Sequence, residues 1–106
     1  MPKVEGTYPH NMNTEDAINA SKKAIDKLLS VFEATDKITF GSEDSVGFSC
    51  KSRGFSIVGQ IKVCDKEVLA TVDLPMMAFA FKGLVQAAID KHIPKHLEKG
   101  VLDANE

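Results

Sequence analysis

Between Ile38 and Leu74 apolar side chains recur at every second position in four successive stretches, with only short breaks between them. The stretches are Ile38 and Phe40, then Val46, Phe48 and Cys50, then Phe55, Ile57, Gly59, Ile61 and Val63, then Val68, Ala70, Val72 and Leu74. A period of two places each set on one face of an extended strand. The breaks carry turn chemistry, with Gly41-Ser-Glu-Asp-Ser, Ser52-Arg53-Gly54 and Cys64-Asp65-Lys66-Glu67. A parallel crossover needs about a dozen residues or more, so connections this short close only antiparallel hairpins. The other face carries Ser49, Lys51, Ser56, Gln60, Lys62, Thr71 and Asp73, which predicts a solvated side with Val58 and Leu69 as exceptions. Gly41, Gly47, Gly54 and Gly59 fit turns, a bulge or close packing within strands.

The flanking segments supply the remaining elements. Val4, Gly6 and Tyr8 alternate with Lys3, Glu5 and Thr7, a first strand ending at Pro9. Asn13 is placed to cap a helix whose first turn holds Glu15 and Asp16. Along it Ile18, Ile25, Leu28, Leu29 and Phe32 form an apolar stripe, flanked by Ala17, Ala20 and Ala24. Pro75 suits the first turn of a second helix from about Met76 to His92 or beyond, with Met77, Phe81, Leu84, Val85, Ala88 and Ile89 as its core stripe. Pro94 predicts a kink or stop near Asp90 to Ile93, and Gly100 to Glu106 reads as a frayed tail. The element order β-α-β-β-β-β-α predicts one α+β domain over residues 1–106, a two-layer sandwich of an antiparallel sheet of about five strands with both helices on one face.

Composition excludes several classes. Hydrophobic residues at 43% and charged residues at 26% are those of a globular chain. The net charge of -2 and the scattered lysines argue against nucleic-acid binding and against an anionic-membrane helix. The apolar run from Leu74 to Ala88 is interrupted by Lys82, Gly83 and Gln86, short of the roughly 20 apolar residues that span a bilayer. Met1-Pro-Lys-Val-Glu has no apolar signal region, so a cytoplasmic location is expected. Cys50 and Cys64 are too sparse for a disulfide framework and are expected as free thiols.

Catalytic signatures are missing: the sequence contains no G-x-S-x-G, P-loop, G-x-G-x-x-G or Cys-x-x-Cys. His92 and His96 have the i, i+4 spacing of a shared metal, but two ligands with Pro94 between them read better as buried or capping histidines. No metal and no cofactor is expected. Tyr8 and His10 flank Pro9 at the exit of the first strand and are weak ligand candidates, although a rigid strand-to-helix corner explains them more simply.

The second helix is apolar almost all round at its start. Met76, Phe79, Ala80, Gly83 and Ala87 occupy the arc opposite its core stripe, where an exposed helix normally carries charge. The simpler explanation is a seam in which Ala80, Gly83 and Ala87 pack against Ala17, Ala20 and Ala24. The functional alternative is a hydrophobic docking surface for another subunit, a lipid-like ligand or a granule.

The chain resembles the polyhydroxyalkanoic acid system family of small bacterial granule-locus proteins. The resemblance lies in His10-Asn-Met before Thr14-Glu15-Asp16-Ala17, the strands at Val46 to Phe48, Gly59-Gln-Ile-Lys-Val63 and Val68 to Leu74, and the apolar helix after Leu74. It runs from about residue 3 to residue 97. It implies a cytoplasmic bacterial protein with a role near polyhydroxyalkanoate granules and brings no catalytic residue with it. The expected function is therefore a non-enzymatic binding or accessory protein, partnered by a granule surface or by itself through the second helix. Two rivals stand beside it: a small hydrophobic-ligand carrier, and a small enzyme using His10.

Overall fold

The computed structural model describes residues 3–102, with side chains described for 3–97. Its elements are β1 (Lys3–Pro9), α1 (Thr14–Val31), β2 (Thr35–Gly41), β3 (Ser45–Ser52), β4 (Phe55–Val63), β5 (Glu67–Asp73), a 3₁₀ segment (Met76–Phe81) and α2 (Lys82–Leu102). The five strands form one antiparallel sheet in the order β1-β5-β4-β3-β2. The fold is α+β, in the order the sequence predicts. Because β1 and β2 lie at opposite edges, α1 must carry the chain across the whole width of the sheet.

Register explains the core. Val46, Ile61, Ala70 and Gly6 lie opposite one another in one row, and Phe48, Gly59, Val72 and Val4 in the next. All the inward-facing residues predicted for β3, β4 and β5 are buried except Phe55, which is half-buried. The ring of Phe48 lies over Gly59, where a Cβ would collide with it. The β3–β4 hairpin closes through Arg53 (φ 55°) and Gly54 (φ 83°), both left-handed, as a two-residue turn matched to strand twist requires.

Both ends of α1 are capped. Asn13 Oδ1 accepts from the Asp16 N–H at 2.8 Å. At the other end Glu33 N–H donates to Ser30 O at 3.1 Å and Ala34 N–H to Leu29 O at 2.9 Å. That pair of bonds is a Schellman motif, and its left-handed residue is Glu33 (φ 53°) rather than the usual glycine. Ser52 Oγ–H then donates to Phe32 O at 2.7 Å, tying the helix end to β3.

Four expectations need correction. Ile38 and Phe40 do not enter the core: Ile38 pairs with Ser49 and Phe40 with Gly47, so both face the open side, 63% and 51% exposed. An irregularity between Thr35 and Ile38, with Asp36 left-handed at φ 52°, shifts the parity of β2. The segment after Pro75 starts as a 3₁₀ helix, which turns about 120° per residue where an α-helix turns about 100°. A stripe drawn at the α-helical period therefore misplaces Met77 and Leu84, which are 86% and 61% exposed, while Ala78 is buried in their stead. Further on, Val85 and Ile89 are buried as expected, with Phe81 and Ala88 half-buried. The seam does not form as drawn, since Ala80, Gly83 and Ala87 are exposed although Ala17, Ala20 and Ala24 are buried. Finally, the helix does not stop near Pro94: α2 runs on to Leu102, with Ile93 and Leu97 on either side of the proline buried at 1% and 3% exposure and holding the helix on the core. Of the predicted tail, 103–106 lie outside the described residues.

Three stability measurements test this packing. Gly59→Ala should cost about 1–3 kcal/mol in denaturant unfolding, through overpacking against Phe48. Glu33→Gly should gain about 1 kcal/mol by relieving a left-handed side-chain residue. Cys50 and Cys64 are free, so dithiothreitol should leave the melting temperature unchanged.

Candidate functional site

Pro75, extended at φ -66° and ψ 155°, ends the sheet and opens the 3₁₀ segment, whose first bond runs from Ala78 N–H to Pro75 O at 2.9 Å. The six residues that follow, Met76-Met-Ala-Phe-Ala-Phe81, contain no polar side chain. Only Ala78 is buried there. Met76 is 75% and Phe79 66% exposed, and Met77 and Leu84 stand in solvent beside them. Ala80, Gly83 and Ala87 are exposed as well, and a Cβ on Gly83 would meet nothing within 4 Å. Between Leu74 and Ile89 the sole charged residue is Lys82.

Beside this segment is a small apolar pocket of about 120 Å³, lined among others by Phe32, Phe55, Leu74, Phe81 and Leu84. The Phe81 ring packs against Phe55, with centroids 5.8 Å apart and planes at 56°. The Arg53 guanidinium lies 5.6 Å from the Phe81 centroid, a cation–π contact held by the left-handed turn. Arg53 is the chain's one arginine and also lines the pocket. A wider, open groove of about 710 Å³ runs between α1 at Lys22 and Asp26 and the β2–β3 hairpin at Phe40 and Glu43.

Tyr8 and His10 lie at the other end of the sheet, by the β4–β5 turn. Tyr8 Oη–H donates to Asp90 Oδ1 at 2.6 Å, and burial, reinforced by that bond and by the carboxylate's charge, holds the phenol well above its ordinary acidity range. His10 is buried. Its Nδ1 accepts from Met12 N–H at 3.1 Å, which leaves Nε2–H to donate to Cys64 O at 2.8 Å. Both ring nitrogens are thus engaged by backbone, and His10 ties the corner after β1 to the turn after β4.

His92 and His96 are engaged differently. His96 Nδ1–H donates to His92 O at 2.8 Å, while His92 is buried with Nδ1 unpartnered and is held toward its neutral form by burial and by nearby lysines. Among the described residues no three His, Cys, Asp or Glu side chains gather as metal ligands. Cys50 is buried in β3, and burial raises its thiol pKa, away from the reactive thiolate.

The arc read from sequence is therefore exposed as a unit, and it extends to Met77 and Leu84. No sequence signal assembles Arg53, Phe55 and Phe81, which come from separate elements. Among the described residues no helix is long and apolar enough to cross a membrane.

No curated protein matches the chain. Among solved structures it is similar to TTHA0849 from Thermus thermophilus, at 14% identity over 99% of this chain and 100% of that one, with a TM-score of 0.42. The family model described as "Putative polyhydroxyalkanoic acid system protein" matches residues 5–97, the span that holds the sheet, α1, the apolar segment and most of α2. The chain belongs to the polyhydroxyalkanoic acid system protein family.

Proposed function

We propose that this protein is a non-enzymatic accessory protein of polyhydroxyalkanoate storage that docks on the granule surface through Met76, Met77, Phe79 and Leu84. The observation that carries the reading is the exposure of these four large apolar side chains, from 61% to 86%, on a segment with one charge. Moving such a side chain out of water contributes roughly 1.5–3 kcal/mol, so four of them can offset a substantial part of the entropy lost on association. An aliphatic polyester is neutral and offers no charge for a protein to pair with, which suits a surface that is apolar rather than basic. The adjoining pocket is of a size for a pendant alkyl group, since a cavity of about 150 Å³ holds benzene. The corresponding location is the cytoplasm of a bacterium.

The carrier reading fits less well. A site that encloses a whole acyl chain needs roughly 300 Å³ or more, and the apolar pocket provides about 120 Å³. The reading of His10 as a catalytic base meets the difficulty that both its nitrogens are already bonded.

Met76→Glu with Phe79→Glu tests the surface directly. Both side chains already stand in solvent, so the melting temperature should stay within a few degrees of wild type. Pelleting with polyhydroxybutyrate particles should weaken at least about tenfold, because each carboxylate must be desolvated at an apolar surface. A folded double variant that pellets like wild type would refute the docking reading. A variant that keeps pelleting and loses self-association would turn the same surface into a subunit interface.

A further inference from the structure

The two edges of the sheet are not equivalent. His10 N–H donates to Lys66 O at 2.9 Å, which fixes the alternation along β1 so that Glu5, Thr7 and Pro9 turn their backbone groups outward. That edge is defended. Gln86 Nε2–H from α2 donates to Glu5 O at 3.1 Å, and Pro9 has no N–H to offer.

Between Ile38 and Gly41 the β2 edge has no such protection. Ser42 N–H donates to Ser45 O at 2.9 Å, so Phe40 and Ile38 bond inward to β3 while Thr39 and Gly41 present N–H and C=O to solvent. β2 is exposed along its whole length, and among the described residues no side chain hydrogen-bonds to its backbone. The stretch Ile38-Thr-Phe-Gly41 is free of charge and of proline. An edge of this kind is a template for another strand.

The same stretch is complementary to itself. In an antiparallel pair centred on Thr39, each Thr39 exchanges two backbone hydrogen bonds with its copy, and Ile38 lies opposite Phe40 of the other chain on both sides of the axis. Those flanking positions do not exchange hydrogen bonds, so their side chains approach most closely, and an aromatic facing a β-branched residue is a favoured cross-strand pair. Ile38 and Phe40 both point to the open face, where they are 63% and 51% exposed as separate chains.

We infer that β2 is a self-association edge, and that two copies of this chain join through it into one continuous ten-stranded sheet with a two-fold axis at Thr39. Both helical layers then lie on the same side. The occupant is a second copy because the pairing that satisfies the backbone also sets Ile38 of one strand against Phe40 of the other.

Sedimentation equilibrium up to sub-millimolar concentration is the test. Wild type should approach twice the monomer mass of 11.5 kDa. Thr39→Pro removes an N–H that β3 does not use, so it should sediment as a monomer with its thermal transition retained. Should that variant fail to fold, Ile38→Lys at an exposed position serves instead, and loss of the dimer is again expected. The Met76→Glu, Phe79→Glu variant should remain dimeric. A wild type that stays monomeric throughout the range overturns the inference, as does a folded Thr39→Pro dimer. Dissociation by the Met76 and Phe79 changes would also overturn it and move the interface to the apolar segment.

Discussion

The ring of Phe48 can lie flat in the middle of the sheet only because the residue opposite it, Gly59, has no side chain. A close-packed interior has no slack, and a ring forced to stand upright there would hold the helices away from the strands. With the ring down, Val4, Val72 and Phe48 share one row of the inner face, with α1 packed over β3 and β4 and α2 over β1. The same device recurs at β1, where Gly6 leaves room for the Tyr8 ring. There it has a second effect, because it allows the phenol to reach Asp90 and so fasten α2 to the strand. Two missing side chains thus make room for two rings on the inner face of the sheet.

How much of this could be read from the sequence depends on whether each segment carried its own phase marker. β3, β4 and β5 alternate apolar and polar residues, so their inward faces are unambiguous, and α1 announces itself by Asn13, Glu15 and Asp16. Met76 to Phe81 has no polar residue to mark which side faces water, and a 3₁₀ start cannot be told from an α-helical one on that pattern. The arc of Met76, Phe79, Ala80, Gly83 and Ala87 could still be picked out, whereas Met77 and Leu84 could not. In β2 the failure has a different cause, since an irregularity near Asp36 and Lys37 reverses the face of every residue after it. Pro94 shows tertiary packing prevailing over local preference, with buried Ile93 and Leu97 outweighing a lost backbone bond.

The apolar segment is unusual in what it does not do for the fold. Met76, Met77, Phe79 and Leu84 contribute little to the core, so stability gives no reason for four large apolar groups rather than polar ones. A chain of this length has few apolar residues to spare. On the docking reading proposed above, binding supplies a reason that folding does not. The adjoining Phe55 and Phe81 rings pack on each other with the Arg53 guanidinium over Phe81, which places an aromatic rim beside the apolar segment.

The unequal edges also fix a valence. A sheet with two free edges behaves like a bifunctional monomer, since each addition regenerates a reactive end and growth has no limit. Here the edge at β1 is terminated by Gln86 and Pro9, so the chain is monofunctional. Joining at β2 consumes the single reactive end of each partner, and the product has none left. The hydrogen bond from Gln86 to Glu5, which contributes little to the stability of one molecule, then acts with Pro9 to favour a closed pair over a fibre.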